Sequence, residues 1–216
     1  MKINYQKILE ETINKYAGFE EKPSLLLHSC CAPCSSYVLE YLNLHFNITI
    51  LYYNPNIFPE EEYLKRLNEL DTFIDSYNFM QDIEIIRPHY DANEFFKIAK
   101  SNENDSEGGE RCFKCYELRL RKTAEYANAN NFDYFTTTLS ISPYKNAQKL
   151  NTIGENIAKE IGVEYLYSDF KKNNGYKRSI ELSKEYNLYR QNYCGCIYSK
   201  AQAENRDNER NTNANI

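Results

Sequence analysis

No stretch of this sequence is apolar enough to cross a bilayer. Its longest purely aliphatic run is Leu25-Leu26-Leu27, against the roughly 20 residues a span requires. The first helix-like stretch is studded with Lys2, Lys7, Glu10, Glu11 and Lys15, which is unlike a targeting segment. A cytoplasmic protein without membrane attachment is expected. Positive charge is not in excess: 26 Lys and Arg against 31 Asp and Glu leave a formal net charge of −5. That balance argues against indiscriminate coating of nucleic acid and leaves room for a local basic face. Glycine is missing where a nucleotide-activating α/β enzyme needs it, because the first strand-to-helix turn reads HSCCAPCSS. Without glycines the turn cannot expose backbone amides to cradle phosphate. Disulfide staples are unnecessary, since a 42% hydrophobic chain of 216 residues can build a full core.

What the sequence does contain is an alternation of short apolar runs with longer amphipathic ones, the pattern of βαβ units and a mostly parallel sheet. Strands are expected at 24–30, 48–53, 83–87, 134–139 and 163–168. Helices are expected at 34–45, 60–77, 112–130 and 145–161, covering both faces of the sheet, with Tyr63, Leu67, Leu70, Phe73, Ile74 and Tyr77 at helical spacing in the second. Gly162 stands where a helix C-cap belongs. No repeat or interdomain linker interrupts the pattern, so residues 1–202 read as one α/β unit. It carries a C-terminal cysteine-containing extension with a short helix around 179–187. Residues 203–216, AENRDNERNTNANI, lack apolar periodicity and read as a disordered tail.

Seven cysteines, an odd number, fall in three tight groups. In a reducing cytosol such clusters indicate metal or redox chemistry. Cys30, Cys31 and Cys34 follow the first strand, at the sheet edge where open α/β folds bind ligands. Adjacent strand residues point apart, so Cys30 and Cys31 share a metal only if the chain turns between them, and the following Ala-Pro assists such a turn. Cys112 and Cys115 form a C-x-x-C pair at a helix start, where spacing of three places both sulfurs on one face and the helix N-terminus favours thiolate. Alone the pair fits a redox site or half a zinc site. With a second thiolate group at another loop end, a shared four-thiolate site is the better account, and spacing does not separate zinc from iron–sulfur. Cys194 and Cys196 flank a single glycine. A redox-active pair, further metal ligands and incidental core thiols all fit, and a C-x-C bridge would be strained and easily reduced.

Four ordered motifs, LLLHSCCAPCSS, RCFKCYELRLRKTAEYA, FTTTLSISPYKN and DFKKNNGYKRSIELSKEYNLYRQNYCGC, resemble those of the cobalamin-independent epoxyqueuosine reductase family, QueH. The resemblance runs from about residue 24 to 200. It implies a Rossmann-like fold similar to adenine nucleotide α-hydrolases and PP-loop enzymes. It also implies the last step of queuosine synthesis, reduction of the epoxide on the modified wobble guanosine of tRNAs with a G-U-N anticodon. Carried over by position, Cys30, Cys31, Cys112 and Cys115 match ligands of a [4Fe-4S] cluster, and Cys194 with Cys196 matches a redox-active pair. A second, mononuclear iron is associated with the family, and the resemblance makes Cys34 its ligand here. The electron donor is not implied. Removing an epoxide oxygen takes two electrons and two protons, a task for a redox metal and a proton source. Tyr193, Tyr144 and Asp169 lie inside the shared motifs as candidates for that source.

An RNA substrate also calls for local positive charge. Residues 111–122 and 171–190 each carry a formal excess of basic residues and flank cysteine pairs. Lys171, Lys172 and Arg178 are the expected RNA contacts. Tyr176, Tyr189 and Tyr193 are available for stacking on splayed bases. His28, on the first strand, is expected to hydrogen-bond backbone more readily than a cluster sulfur. Two other classes stay open on sequence: a zinc-stabilised RNA-binding module without catalysis, and a cytosolic thiol–disulfide oxidoreductase.

Overall fold

The computed structural model describes residues 3–213, with side chains to residue 208. Five strands form one parallel sheet: β1 Ser24–His28, β2 Asn47–Leu51, β3 Glu84–Ile86, β4 Tyr134–Thr137 and β5 Glu164–Tyr165. Their spatial order is β3-β2-β1-β4-β5, with Leu25 opposite Ile48 on one side of β1 and Tyr134 on the other. The order reverses beside β1, so the loops after β1 and β4 diverge and open a crevice at the sheet's C-terminal edge. This is the expected Rossmann-like architecture.

Strand alternation sends Leu25 and Leu27 to one face and Leu26 to the other. Leu25 and Leu27 join Val38, Leu39, Leu67, Leu70 and Phe73, from α2 (Ala32–Leu42) and α3 (Glu60–Ser76). Leu26 packs with Tyr116, Leu120, Leu150 and Ile157, from α5 (Glu110–Ala129) and α6 (Ala147–Ile161). α1 (Tyr5–Lys15) buries Leu9 in the first layer, and α7 (Gly175–Glu185) packs on α2. Gly162 caps α6 at φ +88°, as its place in the sequence suggests.

Three features depart from the sequence reading. α4 (Ala92–Ala99) was not expected; it is short, and Asp91 caps it by accepting from the Asn93 amide. β4 ends at Thr137, whose hydroxyl accepts from the Leu139 amide and starts a 3-10 turn over Thr138–Ile141. Residues 203–213, read as disordered tail, continue helix α8 (Ile197–Asn213). Ala203 is buried, Gln202 bonds the Asp105 carbonyl and the Glu107 amide, and Asn192 donates to Asp207. Beyond the first turn of this polar helix Ala203 is the one buried side chain among the described residues, too weak a pattern for periodicity to reveal. Residues 214–216 lie outside the described residues.

Candidate active site

β1 delivers the first cysteine group to the crevice. Cys31 is the N-cap of α2, in extended conformation, with Pro33 in the first turn. The chain therefore bends between strand and helix, and Cys34 comes round to the same end. The bend is pinned by Ser35, which donates to the Cys31 carbonyl at 2.9 Å and shares a 2.6 Å bond with Ser29. Asn54 donates to the Ser29 carbonyl at 2.8 Å. As a result Cys30, Cys31 and Cys34 have sulfurs within 4.8 Å of one another, the one such metal-capable trio among the described residues. Cys30 and Cys31 sulfurs stand 3.8 Å apart. Cys31 and Cys34 thiols turned toward Cys30 hold its pKa well below the ordinary value, and sharing that site raises theirs.

The second and third groups approach from other elements. Cys112 and Cys115 occupy the first turns of α5, as the spacing predicted, and both are buried. The Gly108 amide lies 3.3 Å from the Cys112 sulfur. Cys112 shares a buried cluster with Cys30 and Cys31, whereas Cys115 sits with Phe95, Ala99 and Cys196, and burial pushes its pKa up to about 12. Thus the 112/115 pair flanks the trio without joining its tight sulfur group. Cys194 is half-buried in the crevice wall. Cys196 is buried behind it and receives the Ser199 amide at 3.4 Å.

The crevice is a cleft of about 470 Å³ lined by Cys30, Cys31, Cys34, Cys194, Arg66 and Lys145, among others. Around it, several basic side chains are turned inward. Arg66, Arg111 and Arg119 are almost wholly buried, and Lys145 nearly so. Arg119 lies on the Cys112, Cys115 face of α5, at i+7 and i+4. Arg66 lies between Tyr63 and Leu67 on the apolar stripe of α3. Those positions were the available signal that both are inward-facing. Nη2 of Arg66 and of Arg119 have no hydrogen-bond partner. Against the cost of burial, the charged guanidiniums are favoured by neighbouring groups when these are ionised, chiefly Cys31 and Glu62 for Arg66 and Cys115, Cys194 and Cys30 for Arg119. Burying an incompletely paired cation costs several kcal/mol, so this pocket is built for a negative occupant. Several thiolates around a metal or iron–sulfur core are such an occupant, and the donor set fits it.

Other predicted residues are placed as follows. His28 is buried, accepts from Thr137 at 2.9 Å and donates through Nε2 to the Tyr53 carbonyl at 3.1 Å. It thus takes the backbone role, and burial lowers its pKa to about 4. Tyr144 stands at the cleft rim, 79% exposed. The Tyr193 ring lies 5.1 Å from the Arg66 guanidinium. Asp169 pairs with Lys171, Arg178 makes a two-pronged pair with Glu40 at 2.6 and 3.0 Å, and Lys172 is exposed. In the other basic segment Arg121 is paired with Glu160 and Glu117.

Fold and site together define a parallel α/β protein with a thiol-lined metal-capable cleft at its topological switch point. The family model described as Epoxyqueuosine reductase QueH matches residues 25–202, and the chain belongs to that family. Proteins named epoxyqueuosine reductase QueH include one from Staphylococcus epidermidis, 43% identical over 202 residues, covering 92% of this chain and 85% of the relative. One from Streptococcus pyogenes is 42% identical over 200 residues, covering 92% and 78%. One from Thermotoga maritima is 33% identical over 182 residues, covering 82% and 90%. No helix among the described residues is long and apolar enough to cross a membrane.

Proposed function

We propose that this chain is an epoxyqueuosine reductase, converting the epoxide of epoxyqueuosine in tRNA to the cyclopentene of queuosine, with residues 1–202 as its catalytic unit. The observation that carries this reading is the buried positive charge beside a thiol-lined cleft: Arg66 and Lys145 line it, Arg119 lies on the Cys112, Cys115 face of α5, and Nη2 of both arginines has no partner. Cys30, Cys31, Cys112 and Cys115 would hold a [4Fe-4S] cluster, and Cys34, which lines the cleft, a mononuclear iron. When bound, these centres supply electrons one at a time.

The chain's own residues do the rest. Arg66 and Arg119 balance thiolate charge, and Arg66 also fixes the third cysteine loop by donating to the Cys194 carbonyl at 3.0 Å. Cys194 faces the cleft while Cys196 lies behind it, an order suited to a dithiol relay that replenishes electrons. For RNA, a wobble nucleoside in an anticodon loop of G-U-N type is already single-stranded and can be splayed into such a cleft. Lys172 is available to phosphate directly. Lys171 and Arg178 would have to exchange Asp169 and Glu40 for phosphate oxygens.

Metal identity tests the reading. Anaerobically purified protein is expected to be brown, with iron and acid-labile sulfide. Cys112→Ala or Cys115→Ala should lose colour and most of both. Zinc without iron in the wild type, or full iron in both variants, would overturn the assignment.

A further inference from the structure

Lys145 is the sole lysine among the described residues lining the cleft, and it follows the Ser142-Pro143-Tyr144 segment directly before the N-cap of α6, Asn146. Its backbone is pinned by donation to the Ser142 carbonyl at 3.2 Å. Its side chain is 5% exposed and reaches Glu107 at 3.1 Å. An ammonium carries three N–H donors. Glu107 accepts one, and among the described residues no other hydrogen bond from Nζ is found. A buried cation with uncommitted donors therefore faces a cleft of about 470 Å³, within the range that holds a small-molecule-sized group.

The competing cations differ in chemistry. Arg66 commits Nε to Glu62 and Nη1 to the Cys194 carbonyl. Arg190 commits Nη1 to the Ser179 carbonyl and the Ser183 hydroxyl. A guanidinium, moreover, does not release a proton in a protein. Of the motif residues considered as proton sources, Asp169 pairs with Lys171, the Tyr193 ring lies against Arg66, and Tyr144 stands outward at the rim.

We propose that Lys145 binds the epoxide oxygen of the substrate and gives it a proton, an assignment that rests on the reductase reading above. The overall change takes epoxide, two electrons and two protons to alkene and water. Both C–O bonds break, a C=C bond forms, and the oxygen leaves as water. The electrons come from a low-potential one-electron donor, dithionite in the test. Lys145 gives one proton as the first C–O bond opens and regains it from water at the cleft mouth, which also supplies the second. Glu107 is a positioning residue that holds Nζ in the cleft.

The test uses the full chain, loaded anaerobically, and anticodon stem-loops bearing either the epoxide or its cyclopentene product. Without reductant, wild type should bind the epoxide RNA about tenfold more tightly than the product RNA, the expectation for one hydrogen bond to a charged group. Lys145→Met should erase that preference at unchanged iron content. Lys145→Arg, which keeps the charge and covers a failure of the Met variant to fold, should keep the preference and lose turnover. Lys145→Ala should lose turnover by about a hundredfold or more and regain part of it with added methylamine. A preference that survives Lys145→Met, unimpaired turnover in Lys145→Arg, or absence of amine rescue in an iron-replete Lys145→Ala protein overturns the proposal. If wild type itself leaves the epoxide unreduced, the reductase reading fails and takes this assignment with it. Wild-type turnover with unaffected Lys145 variants removes this assignment alone.

Discussion

Gly195, at φ +127°, separates the two thiols of the third cysteine group. A β-carbon there would stand 2.9 Å from Ile57 Cγ1 and 3.2 Å from Arg66 Nη1, so the position requires glycine. With the Gly195 carbonyl accepting from the Phe58 amide and the Cys194 carbonyl from Arg66, the loop presents Cys194 to the cleft and keeps Cys196 buried. The proposal above gives this pair an electron-relay role rather than a place among the cluster ligands. We therefore expect the Cys194→Ala/Cys196→Ala double variant to retain its iron yet lose multiple turnover, both measured on one preparation. Iron loss in proportion to activity would move the pair to the metal side. At this scale the cysteines were legible, because their spacing is itself the signal. The buried cations were not: formal charge along a segment cannot show that Arg111 and Arg119 point inward or that Arg178 is matched by Glu40 on another helix.

Helix α6 shows how closely an element's packing fixes the cleft. Gly154 faces β5, and a β-carbon on it would fall 2.4 Å from the Tyr165 ring. Asn151, one turn earlier, donates to the Ser168 carbonyl at 2.8 Å and accepts from the Ser168 amide at 2.9 Å. Lys145 lies just before the same helix. Gly154→Ala should therefore destabilise the fold by about 1–3 kcal/mol through overpacking, read as a lower denaturation midpoint at constant slope. An unchanged midpoint would show that α6 is free to shift. Helices α2, α3, α5 and α6 and all five strands were readable from period and capping. The short α4 was not, although Asp91 as N-cap and Phe95, Phe96 and Ala99 at helical spacing were its signal. α8 escaped notice because tertiary bonds from Gln202 and Asp207 anchor it, rather than an apolar stripe.

Over the whole molecule, Cys30, Cys31 and Cys34 after β1 and Cys194 near the C-terminal end line one crevice, which opens where the crossovers of the neighbouring β1 and β4 part. The chain is negative overall, at −5, yet its interior beside the thiols is positive. That inversion is the physical argument for an anionic metal centre acting on a substrate brought into the cleft. The sequence resemblance supplied the substrate class, and the family match agrees with it. The most direct test is nucleoside mass analysis of epoxyqueuosine-bearing tRNA after anaerobic incubation with iron-loaded protein and dithionite. The account predicts conversion to a nucleoside lighter by one oxygen, dependent on the protein and abolished by Cys112→Ala. Unconverted epoxide in the presence of protein with a full complement of iron and sulfide would contradict it.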